Sequence, residues 1–378
     1  MIFRSVNLFR KGRLELADLT VREGKIEAIL APNEAVPKAD EKVLVPEAMI
    51  LAPGLTDMHC HGAMGGDFSD ADPEAWESFL AYEASVGVTQ LCATTMTLPI
   101  VKLRTMLDLV RDYAPDNEQT ANLVGVHLEG PFLSSQFPGC QNPMDLRSPD
   151  LDHLEELLDQ AGGKVKSLTL APELPNALDV IKELSDRCLI SLGHTAADYS
   201  TAVKAFQAGA SHLTHLFNAM TGWHHREPAL LGAAFDNPKV TVELIADGIH
   251  LHPSTIRLAF KLFPGRIALI SDSMRACGLA DGNYEFGGQI VSKKGNEARL
   301  KDGQLAGSVT HLADGLRTAV KAGIPLETAL QACTETPARL LGIDHEIGVI
   351  EVGRVANLIL LDERDLSLKQ VYLQGKAL

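Results

Sequence analysis

The chain has 378 residues, of which 46% are hydrophobic, and its formal net charge at pH 7 is −15. Such an acidic chain lacks the basic surface that nucleic-acid binding requires, so we expect no nucleic-acid partner. No apolar run approaches the ~18 residues of a transmembrane helix, so we also expect no membrane span. The six cysteines include no C-x-x-C pair and the N-terminus lacks a signal-peptide pattern. Both features predict reduced thiols and a cytoplasmic location.

Short alternating strand patterns stand at both ends of the chain. The N-terminal patterns cover Phe3–Arg10, Leu14–Glu23 and Lys25–Ile29. The C-terminal patterns cover Gly348–Val352, Asn357–Leu361 and Gln370–Gln374. Because the two groups look alike, we predict that residues 1–52 and 344–378 form one small β-sandwich domain. Residues 53–343 would then form the larger domain.

Between these ends, strand-like apolar runs alternate with amphipathic helix patterns. Eight such runs occur, at Met49–Leu55, Val88–Thr95, Leu123–Leu128, Val165–Ala171, Cys188–Leu192, His212–Leu216, Val240–Ala246 and Arg266–Ile270. Helix patterns include Pro73–Val86, Leu151–Gln160 and Asp198–Ala208. Near-continuous apolar runs are typical of buried parallel strands. The pattern predicts an α/β fold, a (β/α)8 TIM-like barrel, with a doubly wound open sheet as the alternative. A Gly-rich hairpin segment, residues 278–307, follows the eighth run.

Side chains that can bind metal ions end several of the predicted strands. His59 and His61 are two residues apart, so in a strand both imidazoles project to one face. Glu129 ends an apolar strand, where an unpaired carboxylate would cost free energy to bury. His194 and His215 close the fifth and sixth runs. Together these nitrogen and oxygen donors predict a divalent metal site for zinc, with iron, manganese or cobalt as alternatives.

Two more residues are candidates for catalysis. Asp272 ends the eighth run, which a barrel places beside the first, so we predict that it acts as the general base. His250 follows the seventh run and is predicted to lie in the active site. His127 is expected next to the metal ligands, and His212 is expected to be structural. Surface positions are expected for His153, His311 and His345.

Several motifs are shared with a known family. Ala52–Asp57 precedes the paired histidines and Gly348–Leu358 lies near the C-terminus. Narrower motifs are His127–Phe132, Gly193–Thr195, Leu216–Met220, Arg226–Pro228, Asp247–His250 and Leu305–Ser308. On these segments the chain resembles the amidohydrolase superfamily and, within it, the N-acetylglucosamine-6-phosphate deacetylases. The resemblance implies hydrolysis of the acetamide of N-acetylglucosamine 6-phosphate to glucosamine 6-phosphate and acetate.

The resemblance also implies roles for individual residues. One metal ion would be held by Glu129, His194 and His215, and a second by His59, His61 and Glu129. Asp272 would be the acid/base, and His250 would polarise the acetyl carbonyl. Substrate-binding positions would be Gly130, Gln141, Asn218, Ala219, Arg226, His250 and Ala306. In this family the arginine at the position of Arg226 comes from a neighbouring subunit, so a homodimer is implied.

Some positions depart from the family pattern, and some alternatives stay open. Gln141 stands where many relatives have a histidine that contacts a sugar hydroxyl, and Ser273 and Ala229 replace a commoner Ala and Gly. N-acetylgalactosamine-6-phosphate deacetylation or another amidohydrolase activity is therefore an alternative. A cyclic amide hydrolase usually carries a carboxylated lysine on the fourth strand, whereas Lys166 lies near the start of that run. A catalytically dead barrel that serves as a scaffold is the alternative from a different class.

Overall fold

The computed structural model describes residues 1–32, 42–43, 48–115 and 118–378. The chain begins with five strands: β1 (Ile2–Arg10), β2 (Arg13–Arg22), β3 (Lys25–Leu30), β4 (Lys42–Val43) and β5 (Met49–Pro53). Strands β1, β2 and β3 pair in antiparallel fashion, while β5 runs parallel to β1. These strands belong to the small domain, and the barrel begins immediately after them.

The barrel consists of eight parallel strands, and further short strands lie at its rim. In chain order the strands are β6 (Leu55–Cys60), the short β7 (Gly62–Ala63) and β8 (Gly66–Asp67), β9 (Val88–Thr95), β10 (Asn122–Glu129), β11 (Val165–Leu170), β12 (Leu189–Leu192), β13 (His212–Leu213), β14 (Thr241–Ile245) and β15 (Ile267–Ile270). Pairing runs without a break from β6 through β9 to β15, leaving out only β7 and β8. The Asp272 N–H donates to the His59 carbonyl at 2.9 Å, and this bond joins the last strand to the first. The predicted barrel is confirmed, and the open sheet is excluded.

Ten α-helices accompany these strands in the described part of the chain. They are α1 (Pro73–Ser85), α2 (Ile100–Asp112), α3 (Leu151–Gln160), α4 (Ala177–Leu184), α5 (Tyr199–Ala208), α6 (Ala229–Asp236), α7 (Pro253–Leu262), α8 (Leu312–Lys321), α9 (Leu326–Cys333) and α10 (Glu335–Leu340). Local sequence explains where several begin. Asp72 caps α1 just before Pro73, and the Asp198 carboxylate accepts the Thr201 N–H at the start of α5.

A three-stranded antiparallel sheet follows the eighth barrel strand. It consists of β16 (Gly282–Phe286), β17 (Gln289–Lys294) and β18 (Glu297–Leu300), as the Gly-rich hairpin pattern predicted. Phe286 and Val291 of this sheet pack with Met274 and Ala306 in a small buried cluster. The sheet therefore lies against the rim where the barrel strands end.

The two chain ends share a single sheet. β19 (Leu358–Asp362) pairs with β5, and β20 (Leu368–Leu373) and β21 (Lys376–Ala377) extend the sheet beyond it. The Gly375 N–H donates to the Ala356 carbonyl, and the Ala356 N–H donates to the Gly24 carbonyl. Strands from both ends of the chain therefore pack around one core. The predicted β-rich domain built from both ends is confirmed. Its division from the barrel at residues 52/53 and 343/344 stays a prediction.

Three local predictions were wrong. The run Met49–Leu55 is not the first barrel strand, because its first five residues pair with β1 and β19, and the barrel starts at Leu55. The chain passes from the sheet of the small domain to the barrel at Gly54, where a Cβ atom would lie 1.9 Å from Thr89 Oγ1. The sixth strand stops at Leu213, since His215 already has a positive φ. The segment Gly348–Val352 forms no strand, although Ile350 packs in the core of the small domain.

All six cysteines are free thiols, and five of them are buried, as the absence of a paired motif predicted. No described helix combines the length and the apolar character needed to cross a bilayer.

Candidate active site and metal centre

The predicted metal ligands lie together where the barrel strands end. His59 lies in β6 and His61 directly follows that strand, while Glu129 is the last residue of β10. His194 and His215 each come two residues after their strands. All five side chains are buried. The barrel therefore brings together residues that are as many as 156 positions apart in the sequence, from His59 to His215.

Three of the strand-end residues have unusual backbone conformations. The φ angles of His194, His215 and Asp272 are 48°, 28° and 49°. Positive φ is uncommon for residues other than glycine and costs of order 1–3 kcal/mol each. At these three positions the chain leaves the strand direction abruptly, and the side chains point across the rim into a common space.

The ligand atoms form two groups that share one carboxylate. In the first, Glu129 Oε1 lies 3.0 Å from His215 Nε2 and 3.3 Å from His194 Nε2, and these two nitrogens are 3.1 Å apart. In the second, His59 Nε2 lies 3.3 Å from His61 Nε2 and 3.5 Å from Glu129 Oε1, and His61 Nε2 lies 3.4 Å from Glu129 Oε2.

These separations fit a bound divalent ion. Ligand bonds of ~2.0–2.2 Å in tetrahedral geometry place neighbouring ligand atoms ~3.3–3.6 Å apart, close to the 3.0–3.5 Å found here. Four imidazole Nε2 atoms converge on the two oxygens of one carboxylate, and hydrogen bonds among them cannot satisfy every pair. The donor set of histidine nitrogen and carboxylate oxygen suits zinc and similar ions. The predicted capacity to bind metal is thus supported by both groups.

Other side chains and backbone atoms orient the ligands. His59 Nδ1 lies 2.8 Å from Glu243 Oε2, and His194 Nδ1 lies 2.9 Å from the Phe137 carbonyl. Gln141 Nε2 donates to Glu129 Oε2 at 2.7 Å. Partners of this kind fix the direction in which a ligand presents its lone pair.

Charge in this cluster shifts several pKa values. Burial disfavours protonation of His61, yet hydrogen bonds to Asp272 and Glu129 raise its pKa to about 9. Burial likewise opposes protonation of His59, but the negative charges of Glu243 and Glu129 raise its pKa well above the usual value. Burial lowers the pKa of His127 to about 3, so that histidine is neutral. It stacks edge-on against His59, next to the ligands as predicted.

Asp272 lies beside the second ligand group. Its Oδ1 is 3.2 Å from His61 Nε2 and 3.5 Å from His59 Nε2. Burial disfavours its charged form, but the charge of His59 and a hydrogen bond from His61 hold the pKa of Asp272 below its usual value. An ionised carboxylate at this point can accept a proton from a water molecule in the cavity.

A cavity of about 360 Å³ opens over these groups. His250 lines it, and Asp247 orients that ring by accepting from Nδ1 at 2.7 Å. Asn218 and Ala219 also line the cavity, as predicted for substrate-binding positions. A larger space of about 750 Å³ lies against α8, but none of the predicted catalytic residues lines it, so we place the chemistry in the smaller cavity.

Four predicted substrate-binding residues do not line this cavity. Gln141 is buried and bonds Glu129 and the Thr97 N–H, which uses both ends of its amide. Ala306 is fully buried, although both its neighbours in the chain line the cavity, and Gly130 packs against Thr97. Arg226 lies in an exposed loop, with Nη1 2.7 Å from His225 Nε2.

Sequence reasoning missed some residues around the site. Glu243 is a charged residue inside the apolar strand β14, and that interruption was the available signal. Arg299 lines the cavity from β18 and Gln304 from the turn that follows this strand, and no motif indicated them. His311 is half-buried, with Nε2 3.2 Å from the Tyr82 hydroxyl, so its predicted surface position was wrong. His153 and His345 are exposed, as expected.

Two histidine–carboxylate groups at the C-terminal rim of a barrel, with a carboxylate beside them, define a metal-dependent hydrolase. A family model described as the amidohydrolase family matches residues 50–378, and the chain belongs to that family. The position of Lys166 argues against a cyclic amide hydrolase, which usually carries a carboxylated lysine that binds metal on this strand. Lys166 is the second residue of β11, at the end of the strand away from the ligands.

Relatives within the family carry more specific names. An N-acetylglucosamine-6-phosphate deacetylase of Bacillus subtilis is 38% identical over 90% of this chain and 87% of its own. An N-acetylgalactosamine-6-phosphate deacetylase of Escherichia coli O157:H7 is 33% identical over 98% of this chain and 96% of its own. These names confirm the resemblance that the motifs indicated.

The same likeness appears among solved structures. A mutant N-acetyl-D-glucosamine-6-phosphate deacetylase from Mycobacterium smegmatis, in complex with N-acetyl-D-glucosamine-6-phosphate, superposes with a TM-score of 0.92. It is 31% identical, and the match covers 100% of this chain and 98% of that one. The roles of individual residues in this chain stay predictions.

Proposed function

We propose that this protein hydrolyses the acetamide of N-acetylglucosamine 6-phosphate to glucosamine 6-phosphate and acetate, in the recycling of amino sugars. The observation that carries the proposal is the position of Asp272, 3.2 Å from His61 at the edge of two metal-ligand groups within one cavity. The names of the relatives from Bacillus subtilis and Mycobacterium smegmatis support the choice of substrate.

The residues that would hold metal are Glu129, His194 and His215 for one ion, and His59, His61 and Glu129 for another. We propose zinc, with iron, manganese or cobalt as alternatives, in one or two copies per subunit. A divalent ion bound there supplies Lewis acidity, which lowers the pKa of water and polarises a carbonyl group.

Asp272 would carry the proton transfers, and His250 would polarise the acetyl carbonyl. The Asp272 carboxylate takes a proton from the attacking water, and the protonated side chain then delivers it to the leaving nitrogen, which is a poor leaving group without it. His250, held by Asp247 at 2.7 Å through Nδ1, turns Nε2 toward the cavity. A hydrogen bond from this ring to the carbonyl oxygen would stabilise the negative charge that develops there.

The sugar phosphate would be held by Asn218 and the Ala219 backbone at the cavity wall. Arg226 lies outside the cavity of its own chain, which agrees with a role across a homodimer interface. Gly130 and Ala306 would shape the sugar site through the backbone. Gln141 would act at the sugar only indirectly, because its amide is occupied by Glu129 and Thr97. A cytoplasmic location is consistent with six free cysteines.

The test is release of free amine from N-acetylglucosamine 6-phosphate, its galacto epimer and the unphosphorylated sugar, with metal-loaded protein. We expect turnover of the gluco phosphate and a loss of at least ~10²-fold in kcat for Asp272→Asn. Asp362→Asn is a control for the same change of side chain, since Asp362 is also buried but lies in the small domain. Turnover of the galacto epimer alone would move the substrate to the alternative, and no amine from any sugar would refute the proposal.

A further inference from the structure

A second buried carboxylate lies directly behind the metal ligands. Glu243, in the middle of β14, is fully buried inside the barrel. Its Oε2 lies 2.8 Å from His59 Nδ1 and accepts the His215 backbone N–H at 3.2 Å. Its Oε1 faces His212 Nε2 at 3.4 Å. The carboxylate therefore touches a ligand of the second group through the ring nitrogen that points away from the cavity.

His59 differs in this respect from the other three ligand histidines. The Nδ1 of His194 donates to a backbone carbonyl. The Nδ1 atoms of His61 and His215 have no hydrogen-bond partner within the described residues. Among the ligand histidines of the described chain, His59 is thus the one whose Nδ1 is held by a side-chain carboxylate.

We propose that Glu243 is a positioning residue that determines whether the second metal ion binds. By accepting the Nδ1 proton of His59, it fixes the tautomer whose Nε2 lone pair faces His61 and Glu129. His59 belongs only to the second ligand group, so the effect of Glu243 on metal affinity falls mainly on that group. The inference rests on the metal requirement of the proposed function and is independent of its substrate.

Direct metal binding by Glu243 is a different possibility, since His59, His127 and Glu243 also present ligand atoms near one another. Two contacts argue against it. The 2.8 Å separation of His59 Nδ1 and Glu243 Oε2 is that of a direct hydrogen bond, and His127 Nε2 lies 2.6 Å from Thr169 Oγ1. Both nitrogens are already engaged, so Glu243 orients a ligand and does not act as one.

The experiment measures metal binding without any sugar. Zinc is titrated into metal-free wild-type protein and the variants Glu243→Gln, His59→Gln and Glu83→Gln, and bound metal is counted by mass spectrometry. We expect two ions per wild-type chain and two for Glu83→Gln, which makes the same change at an equally buried site away from the ligands. In Glu243→Gln the second ion should bind ~10–100-fold more weakly, with the first within ~3-fold of wild type. His59→Gln should lose the same ion.

The double variant Glu243→Gln/His59→Gln closes a cycle. The quantity compared is the affinity for metal that the second site retains in His59→Gln. If Glu243 acts through His59, adding the Glu243 change alters this residual affinity by less than ~3-fold. Cobalt substitution gives a second readout, because loss of the second site removes its part of the visible absorption. Glu243→Asp keeps the negative charge but moves it away from His59 Nδ1, so it should also lower the affinity for the second ion. This variant keeps the test decisive if Glu243→Gln does not fold.

Three outcomes would overturn the inference: a wild-type chain that binds one ion, a Glu243→Gln protein with two ions at wild-type affinity, or equal loss of both ions. Binding of three ions by wild type would mean that Glu243 is itself a ligand. These results are distinguishable from failure of the proposed function, which would appear as correct metal counts with no release of amine.

Discussion

The position of Gln141 allows a sharp test of what that residue does. Its Nε2 donates to Glu129 Oε2, and its Oε1 accepts the Thr97 N–H, with both bonds at 2.7 Å. Gln141→Ala removes the hydrogen bond to the charged Glu129 carboxylate, which is worth ~1.5–3 kcal/mol. It also leaves the buried Thr97 N–H without a partner, which costs ~1–3 kcal/mol. The structure thus predicts a loss of about 3–6 kcal/mol in the free energy of unfolding of the metal-free protein.

This loss can be converted into a melting temperature. An unfolding entropy of ~2.1 cal/mol/K per residue gives about 0.8 kcal/mol/K for 378 residues, so Tm should fall by about 4–8 °C. Glu129 belongs to both ligand groups, so each metal affinity should fall ~10–100-fold. Calorimetric melting of metal-free protein and zinc titration measure the two effects separately.

Gln289→Ala is the matched control for Gln141→Ala. Gln289 Nε2 donates to the Cys140 carbonyl at 2.8 Å, so it supports the same loop without touching Glu129. We expect its metal affinities to stay close to wild type. If Gln141→Ala instead raised KM for the sugar while Tm and metal affinity stayed unchanged, Gln141 would be a sugar contact, and the role derived from its hydrogen bonds would be refuted.

Three further predictions concern charge. Burial raises the pKa of Glu83 well above its usual value, so the folded protein retains a proton that the unfolded chain releases, and stability falls as pH rises above ~4.5. Glu83→Gln should therefore gain Tm over wild type by a margin that grows between pH 5 and 8; a constant margin would contradict this. The pKa of His61 is about 9 and that of His59 is also raised well above its usual value, so both rings must lose a proton to bind metal at their shared site. Apparent affinity there should rise at least ~10-fold per pH unit from pH 6 to 8, with proton release seen by calorimetry in two buffers. Arg226→Ala should raise KM for the phosphorylated sugar ~10–100-fold through loss of a charge-assisted bond and leave the unphosphorylated sugar unaffected; equal effects would remove Arg226 from the phosphate site.

Much of the barrel could be predicted because its signals are local. Seven of the eight apolar runs contain most of a barrel strand, and helices α3 and α5 lie within a residue of their predicted bounds. Apolar runs and caps depend on neighbours a few residues away, so the sequence shows them directly. The candidate metal ligands could be recognised for the same reason, since each one lies at or near the end of a strand. The barrel topology then implies that strand ends meet.

The sequence by itself therefore determined the barrel, the rim that carries the chemistry and the residues able to bind metal. Tertiary structure decided which partner each of these elements takes. Met49–Pro53 is apolar enough for either sheet, and only pairing with β1 and with β19, some 300 residues later, places it in the small domain. Glu243 and His59 are 184 residues apart, and Gln141 reaches Glu129 only because the loop folds back over the rim. Such contacts leave no local periodicity in the sequence, because they depend on how whole elements and loops pack.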